Sequence, residues 1–385
     1  MALRTGLLLG LLLALAAPAS SSEFAGLDAA SEPLSTLVQT ARKLRTGRLA
    51  AAESAAPGES PISYAAVCRG DGDALAAERE GRLKAGLQAI EPALRIRFAV
   101  IASKHGLPVM EGKDYLASTL TSITYTYPHS SAKAKAALAD FAEAIEEAVL
   151  ARVRAPDYAR IKAALIARIE SKTTLSSEDK AKLVHRVQVT EMALPSRYIR
   201  EYLTTTDELW PVVPQLFADQ AWNASYDDLG GAAVPELTPD MSLIILYPGF
   251  LLAEDRGDGS SHLDYVLAHE TAHSIDSGRF PGLYKDFIGC MKTAHGADFK
   301  AWDEVLADYW AAEALSGLPN AGAAELGKSF EIVCGTSGEG ADSLLGHLVS
   351  AEHPSGRYRI DRILGGNAEL LRSLGVSAPP ASCGL

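Results

Sequence analysis

The sequence has no surplus of basic residues, no cysteine pair at metal-binding spacing and, beyond its first 19 positions, no long uncharged apolar run. Each absence excludes something. Against 48 Asp and Glu stand only 36 Lys and Arg, a formal net charge of -12 at pH 7. That balance lacks the electrostatic footprint for nucleic acid or an anionic membrane, so no nucleic-acid partner is expected. Without roughly 18 consecutive apolar residues, the chain downstream of its N-terminus has no membrane span. The four cysteines, Cys68, Cys290, Cys334 and Cys383, form no C-x-x-C pair, which leaves a cysteine-based metal site unsupported. Internal repeats and low-complexity tracts are missing as well. At 385 residues, 48% hydrophobic and 22% charged, the chain is neither disordered throughout nor collagen-like, and it can bury one large core or two modest ones.

What is present begins with an address. Arg4 supplies a positive charge, residues 6–17 are an almost unbroken Leu/Ala stretch, and Ala17-Pro18-Ala19 before Ser20 has the small-x-small form of a cleavage site. Residues 1–19 are expected to be a signal peptide, which makes the mature protein periplasmic or secreted. In an oxidising compartment an even number of cysteines favours two disulfides, and spacing alone leaves three pairings open. Residues 20–60, rich in Ala, Ser, Gly and Pro, read as a loosely ordered lead-in with one helical patch at 34–49.

A helical domain is expected over 61–205. Leu138, Phe141, Ile145, Val149 and Val153, then Ile161, Leu165 and Ile169, recur at three and four, and helical character runs over 74–200. Gly106-Leu107-Pro108 and Thr-rich stretches interrupt it as a turn region at 104–123. After 205 the character changes. Trp210, Pro211, Pro214 and Trp222 mark irregular chain, and residues 241–247, before Pro248-Gly249, read as a strand. Helices are expected at 261–277, 302–315, 323–333 and 367–374. The fold class is therefore α+β, mostly helical, with a small sheet in a catalytic domain over 206–385.

The chemistry centres on His269-Glu270-Thr271-Ala272-His273. In a helix, positions i and i+4 share a face, so both imidazoles can turn to one ion with Glu270 beside them, the H-E-x-x-H zinc geometry. A metzincin-type third ligand is excluded, because the positions that need Gly and His hold Asp276 and Arg279. Glu304 and Asp308 provide the alternative. They are also i, i+4, so one can bind the metal while the other accepts the far N–H of a ligating imidazole. Two His, one Glu and an open fourth position describe a catalytic zinc site. Zinc there lowers the pKa of bound water to about 7, and Glu270 can take its proton and pass it to a leaving amine. His105, His129, His185, His262, His295 and His347 are expected to be structural or surface residues.

From about residue 223 onward the chain resembles the neprilysin-type zinc endopeptidases. His269-Glu270-Thr271-Ala272-His273-Ser274-Ile275-Asp276 is similar to that family's H-E-x-x-H-x-F-D, and Glu304-Val305-Leu306-Ala307-Asp308 to its E-N-I-A-D. Asn223-Ala224-Ser225-Tyr226 resembles N-A-(Y/F)-Y, Tyr247-Pro248-Gly249-Phe250-Leu251 the strand end F-P-A-G-I-L, and His353-Pro354-Ser355-Gly356-Arg357-Tyr358-Arg359-Ile360 the segment H-S-P-x-x-Y-R-V. The resemblance implies a zincin (thermolysin-like) catalytic domain holding one Zn2+ per chain on His269, His273 and Glu304. It makes Glu270 the base and Asp308 the residue that orients a ligand His. His353 would then steady the oxyanion, Arg359 bind a substrate carbonyl, and Asn223 and Ala224 hold the peptide backbone. It also implies disulfides Cys290 with Cys383 and Cys68 with Cys334. Two positions depart from the family: Ala351 stands where it has Asp before its catalytic His, and Val333 where it has Trp.

The function expected is that of an exported zinc metallopeptidase whose partners are peptide substrates. Two alternatives share the scaffold: a peptide-binding protein without catalysis, and a zinc hydrolase acting on a non-peptide amide. Asn223-Ala224-Ser225 is also an N-x-S sequon, read here as substrate contact, and the acidic stretch 255–259 reads as a turn, since it lacks the ladder of a calcium loop.

Overall fold

A computed structural model describes residues 62–68, 72–110, 118–119, 122–123, 126–127, 132–202, 232–238, 241–254, 262–295, 302–318, 322–334, 354–376 and 383–385. The expectations for 1–19 and 20–60, and those resting on Asn223, Ala224 and His353, lie outside the described residues. Ser60 to Leu385 form one compact unit.

Helix α1, Gly72–His105, runs through Pro92. It stops where Gly106 takes a φ of 67°. There Leu107 N–H donates to Ala102 O at 2.8 Å and Gly106 N–H to Ser103 O at 3.2 Å, the paired bonds of a Schellman end. Helix α2, Ala132–Leu150, buries Leu138, Phe141, Ile145 and Val149 as the spacing requires, and Phe141 meets Phe98 of α1 edge-on with centroids 4.7 Å apart. Helix α3, Tyr158–Ser171, is capped by the Asp157 carboxylate and buries Ile161, Leu165 and Ile169. Helix α4, Ser177–Val189, is capped by Ser176 in the same way.

The helical expectation fails next, at β1, Thr190–Ala193. Thr190 Oγ1 donates to Arg186 O at 2.8 Å, the backbone turns extended, and the strand pairs in parallel with β3, Met241–Ile245. Tertiary pairing thus outweighs a short sequence that carries no strand pattern of its own. On the other side of β3 lies β2, Ala232–Thr238, antiparallel, so β3 is the centre of a three-stranded sheet. The expected strand 241–247 ends two residues early, and helix α5, Pro248–Glu254, opens with proline in the first turn, where its missing N–H has no intrahelical partner to lose.

Further along the chain come α6, His262–Ala272, extended by the 3-10 turn His273–Ile275; α7, Lys285–His295; α8, Trp302–Ser316; and α9, Ala323–Phe330, extended by Glu331–Val333. A helical turn, Gly356–Tyr358, then runs on into a π-helix, Arg359–Leu364, and α10 is Ala368–Ser373. The protein is mostly helical with a small sheet, an α+β architecture.

Helices α6 and α8 pack along each other, and α3 lies against both. Every residue of α8 from Val305 to Ser316 is buried, and α6 buries Tyr265, Val266, Leu267, Ala268 and Ala272. Helices without a polar face belong to an interior, and the polar side chains they carry need partners inside the protein. Lys172 Nζ accordingly meets Glu313 Oε1 at 2.8 Å and Tyr309 Oη at 2.9 Å, Trp310 Nε1 donates to Tyr284 Oη at 3.1 Å, and Arg160 of α3 pairs with Asp264 of α6.

Two disulfides close the unit. Cys68 pairs with Cys334 and Cys290 with Cys383, the pairing that the resemblance implied. Such bonds are compatible with an extracellular protein. Among the described residues no helix is long and apolar enough to cross a membrane.

Candidate metal centre

His269 and His273 sit one turn apart at the C-terminal end of α6, and Glu304 and Asp308 one turn apart in the first half of α8. Because α6 and α8 pack together, the two pairs face each other. Glu304 Oε2 lies 3.1 Å from His269 Nε2, and Glu304 Oε1 lies 3.6 Å from His273 Nε2. The far nitrogens turn to other carboxylates: His269 Nδ1 is 2.9 Å from Asp308 Oδ1 and His273 Nδ1 is 3.1 Å from Asp276 Oδ2. The imidazoles stand at 89° to each other with centroids 4.9 Å apart.

Asp308 is fully buried and paired with Arg359, whose Nε donates to Oδ2 at 2.7 Å and Nη2 to Oδ1 at 2.8 Å. Burial alone would raise the Asp308 pKa; the Arg359 charge and hydrogen bonds, with those of His269, outweigh it and hold the carboxyl well below the usual range. An ionised Asp308 can only accept, so His269 Nδ1 carries a proton, which leaves Nε2, facing Glu304, as the nitrogen a cation would take. Burial likewise opposes protonation of His269, yet the Asp308 and Glu304 hydrogen bonds and charges push its pKa up to about 10 when only a proton is available to bind.

Two acceptors do not face each other at hydrogen-bond distance unless positive charge lies between them. A proton meets that need for one imidazole, whereas a cation meets it for both. His269, His273 and Glu304 could hold a metal ion, each offering a ligand atom within 4.8 Å of the others'. The side chains of His273 and Glu304 keep 16% and 12% of their exposure while that of Asp308 keeps none, so the site opens to solvent on the ligand side and is sealed behind.

Glu270, half-buried, lies on α6 beside the two histidines. Its charge reaches Tyr247 at the end of the sheet, whose phenol is pushed up to about 12 by burial first and then by Tyr198 and Glu270. Arg359, expected to face substrate, is buried and spends Nε and Nη2 on Asp308 and Tyr265. Of the other histidines, His105 Nε2 lies 2.8 Å from Asp140 Oδ2, and His185 is exposed.

Two residues at the centre carry no role in the sequence reading. Asp276 follows His273 by three positions, and its other oxygen accepts from Gly278 N–H at 2.9 Å and Arg279 N–H at 3.3 Å, a turn that holds the carboxylate against the imidazole. Tyr265 precedes His269 by four, the same helical spacing that marks the histidines themselves, and its hydroxyl donates to Asp308. No protein-family model matches the chain, and it matches no curated protein.

Proposed function

We propose that the protein is an exported zinc metallopeptidase, similar to the neprilysin-type endopeptidases in its catalytic residues, that hydrolyses peptide bonds with Glu270 as general base. The observation that carries the proposal is the convergence of two imidazole Nε2 atoms on one Glu304 carboxylate, next to Glu270 and open to solvent on that side. Two imidazoles and one carboxylate are a donor set suited to zinc, and three protein ligands are the number that leaves a position for substrate or water. Zinc held there supplies polarisation of a carbonyl and a water acidified to about pKa 7. Glu270 takes the proton of the attacking water and delivers it to the departing amine nitrogen. Asp308 and Asp276 hold the two imidazoles so that Nε2 of each remains the ligating atom. Asn223 and Ala224 for the peptide backbone, Arg359 for a substrate carbonyl and His353 for the oxyanion complete the proposal by resemblance.

The test is bound zinc and cleavage of a quenched random-peptide library by the purified chain and by Glu270→Gln. About one zinc per chain is expected in both. Cleavage should disappear with a chelator and fall by at least about a hundredfold in the variant. Zinc without cleavage in the parent chain would turn the reading toward peptide capture or a different amide, and no zinc at all would overturn it.

A further inference from the structure

Behind the metal-binding face, the Asp308 carboxylate is surrounded by donors. Oδ2 accepts from Arg359 Nε at 2.7 Å, while Oδ1 accepts from His269 Nδ1 at 2.9 Å, from Arg359 Nη2 at 2.8 Å and from the Tyr265 hydroxyl. Each carboxylate oxygen has two lone-pair sites, so Oδ1, with three donors, is more than saturated. The Tyr265 hydroxyl also accepts, from Arg359 Nη2 at 3.0 Å.

Its ring is 2% exposed, set edge-on to Phe330 of α9 at 5.5 Å and tilted against His269 at 5.8 Å. A phenylalanine would fill that space equally well. A hydroxyl there loses its water and is tolerated only because both its donor and its acceptor capacity are met. Its bonds therefore tie together the imidazole helix α6, the carboxylate helix α8 and the π-helix that begins at Arg359.

We propose that Tyr265 is a positioning residue of the metal centre: its hydroxyl, braced by Arg359, fixes the direction of the Asp308 carboxylate, and through it the tilt of the His269 ring toward the ion. The inference rests on the reading of His269, His273 and Glu304 as a metal site. Without the hydroxyl, Asp308 keeps its charge partner but loses the donor that stops Oδ1 from rotating with the guanidinium. The His269 ring then samples orientations in which Nε2 is off the direction of the cation.

The experiment compares the full chain with Tyr265→Phe, measuring zinc affinity by competition with a chromophoric chelator, the visible absorption of the cobalt-substituted protein, and the thermal midpoint of the metal-free protein. Expected are an affinity about tenfold weaker, the cost usual for removing a partner that orients a ligand, and an altered cobalt spectrum. A lowered metal-free midpoint with affinity and spectrum unchanged would show a hydroxyl that only supports the fold, and would overturn the proposal. If the parent chain binds no divalent ion, the metal-centre reading fails and takes this inference with it; if the parent binds and the variant binds equally, only the inference fails. Should Tyr265→Phe not fold, the zinc-loaded parent decides by proton NMR. A Tyr265 hydroxyl proton slow to exchange and close to the His269 Nδ1 proton is expected, and its absence would overturn the assignment.

Discussion

At the scale of single residues, the proposed centre sets a proton against a cation for the same nitrogen. In the metal-free protein Asp308 and Glu304 hold His269 protonated up to about 10, against an ordinary value of 6.5. Only the neutral imidazole ligates, so at pH 7 an incoming cation must displace that proton. Zinc binding is accordingly expected to release at least one proton per chain at pH 7, since the His273 pKa is raised as well, and to strengthen as pH rises toward 10. Titration calorimetry in two buffers of different ionisation heat measures the release directly, and a heat independent of the buffer would contradict it. The sign for stability runs the other way. A raised His pKa favours the metal-free fold fully below about pH 6.5, and that contribution is lost as pH climbs through about 10. Alkaline conditions therefore weaken the metal-free protein while they favour the loaded one.

At the scale of elements, two glycines on helical backbone make opposite predictions. Gly365 closes the π-helix that carries Arg359, its N–H donating to Ile360 O at 2.7 Å. A Cβ there would run into the carbonyl oxygens of Ile62 and Ile360. Gly365→Ala should destabilise by about 1–3 kcal/mol, since backbone rather than a flexible side chain must move. Exposed Gly81 in α1 has open space around its Cβ position, and Gly81→Ala should stabilise by about 0.5–1 kcal/mol. Urea unfolding of the metal-free proteins checks both.

The same distinction between local pattern and tertiary setting explains what the sequence disclosed. Helices α2 and α3 were legible because Phe141, Ile145, Ile161 and Leu165 repeat at helical spacing, and α6 and α8 because their chemistry comes at i, i+4. Strand β1 was not, since its four residues continue a helix and become a strand only through pairing with β3. Helix α5 was hidden by Pro248-Gly249, a pair that reads as a turn and here starts a helix. Glu304 and Asp308 were visible as ligand and orienter candidates, but Tyr265 was not, because a tyrosine in an apolar helix looks like core until its hydroxyl is seen between two charges.

At the scale of the whole molecule, the candidate metal centre is supported by elements far apart in the chain. α3 backs both α6 and α8, and the Cys68–Cys334 bond ties the helical turn Tyr64–Val67 to the turn after α9, across a separation of 266 residues. Joining such distant positions constrains the unfolded chain strongly, so replacing both cysteines with serine should cost about 2–5 kcal/mol. Zinc affinity should change little, because neither cysteine is among the candidate ligands or the carboxylates bonded to them; chemical unfolding and chelator competition on one variant separate the two effects. The connectivity of the two bridges also bears on biosynthesis. Taken in chain order, the first thiol pairs with the third and the second with the fourth. A chain oxidised in order of emergence would first join Cys68 to Cys290, a bond absent from the finished protein. On that route thiol–disulfide exchange must undo the earliest link after Cys334 appears. On that route the yield of native protein follows the supply of an isomerising thiol more closely than the supply of oxidant.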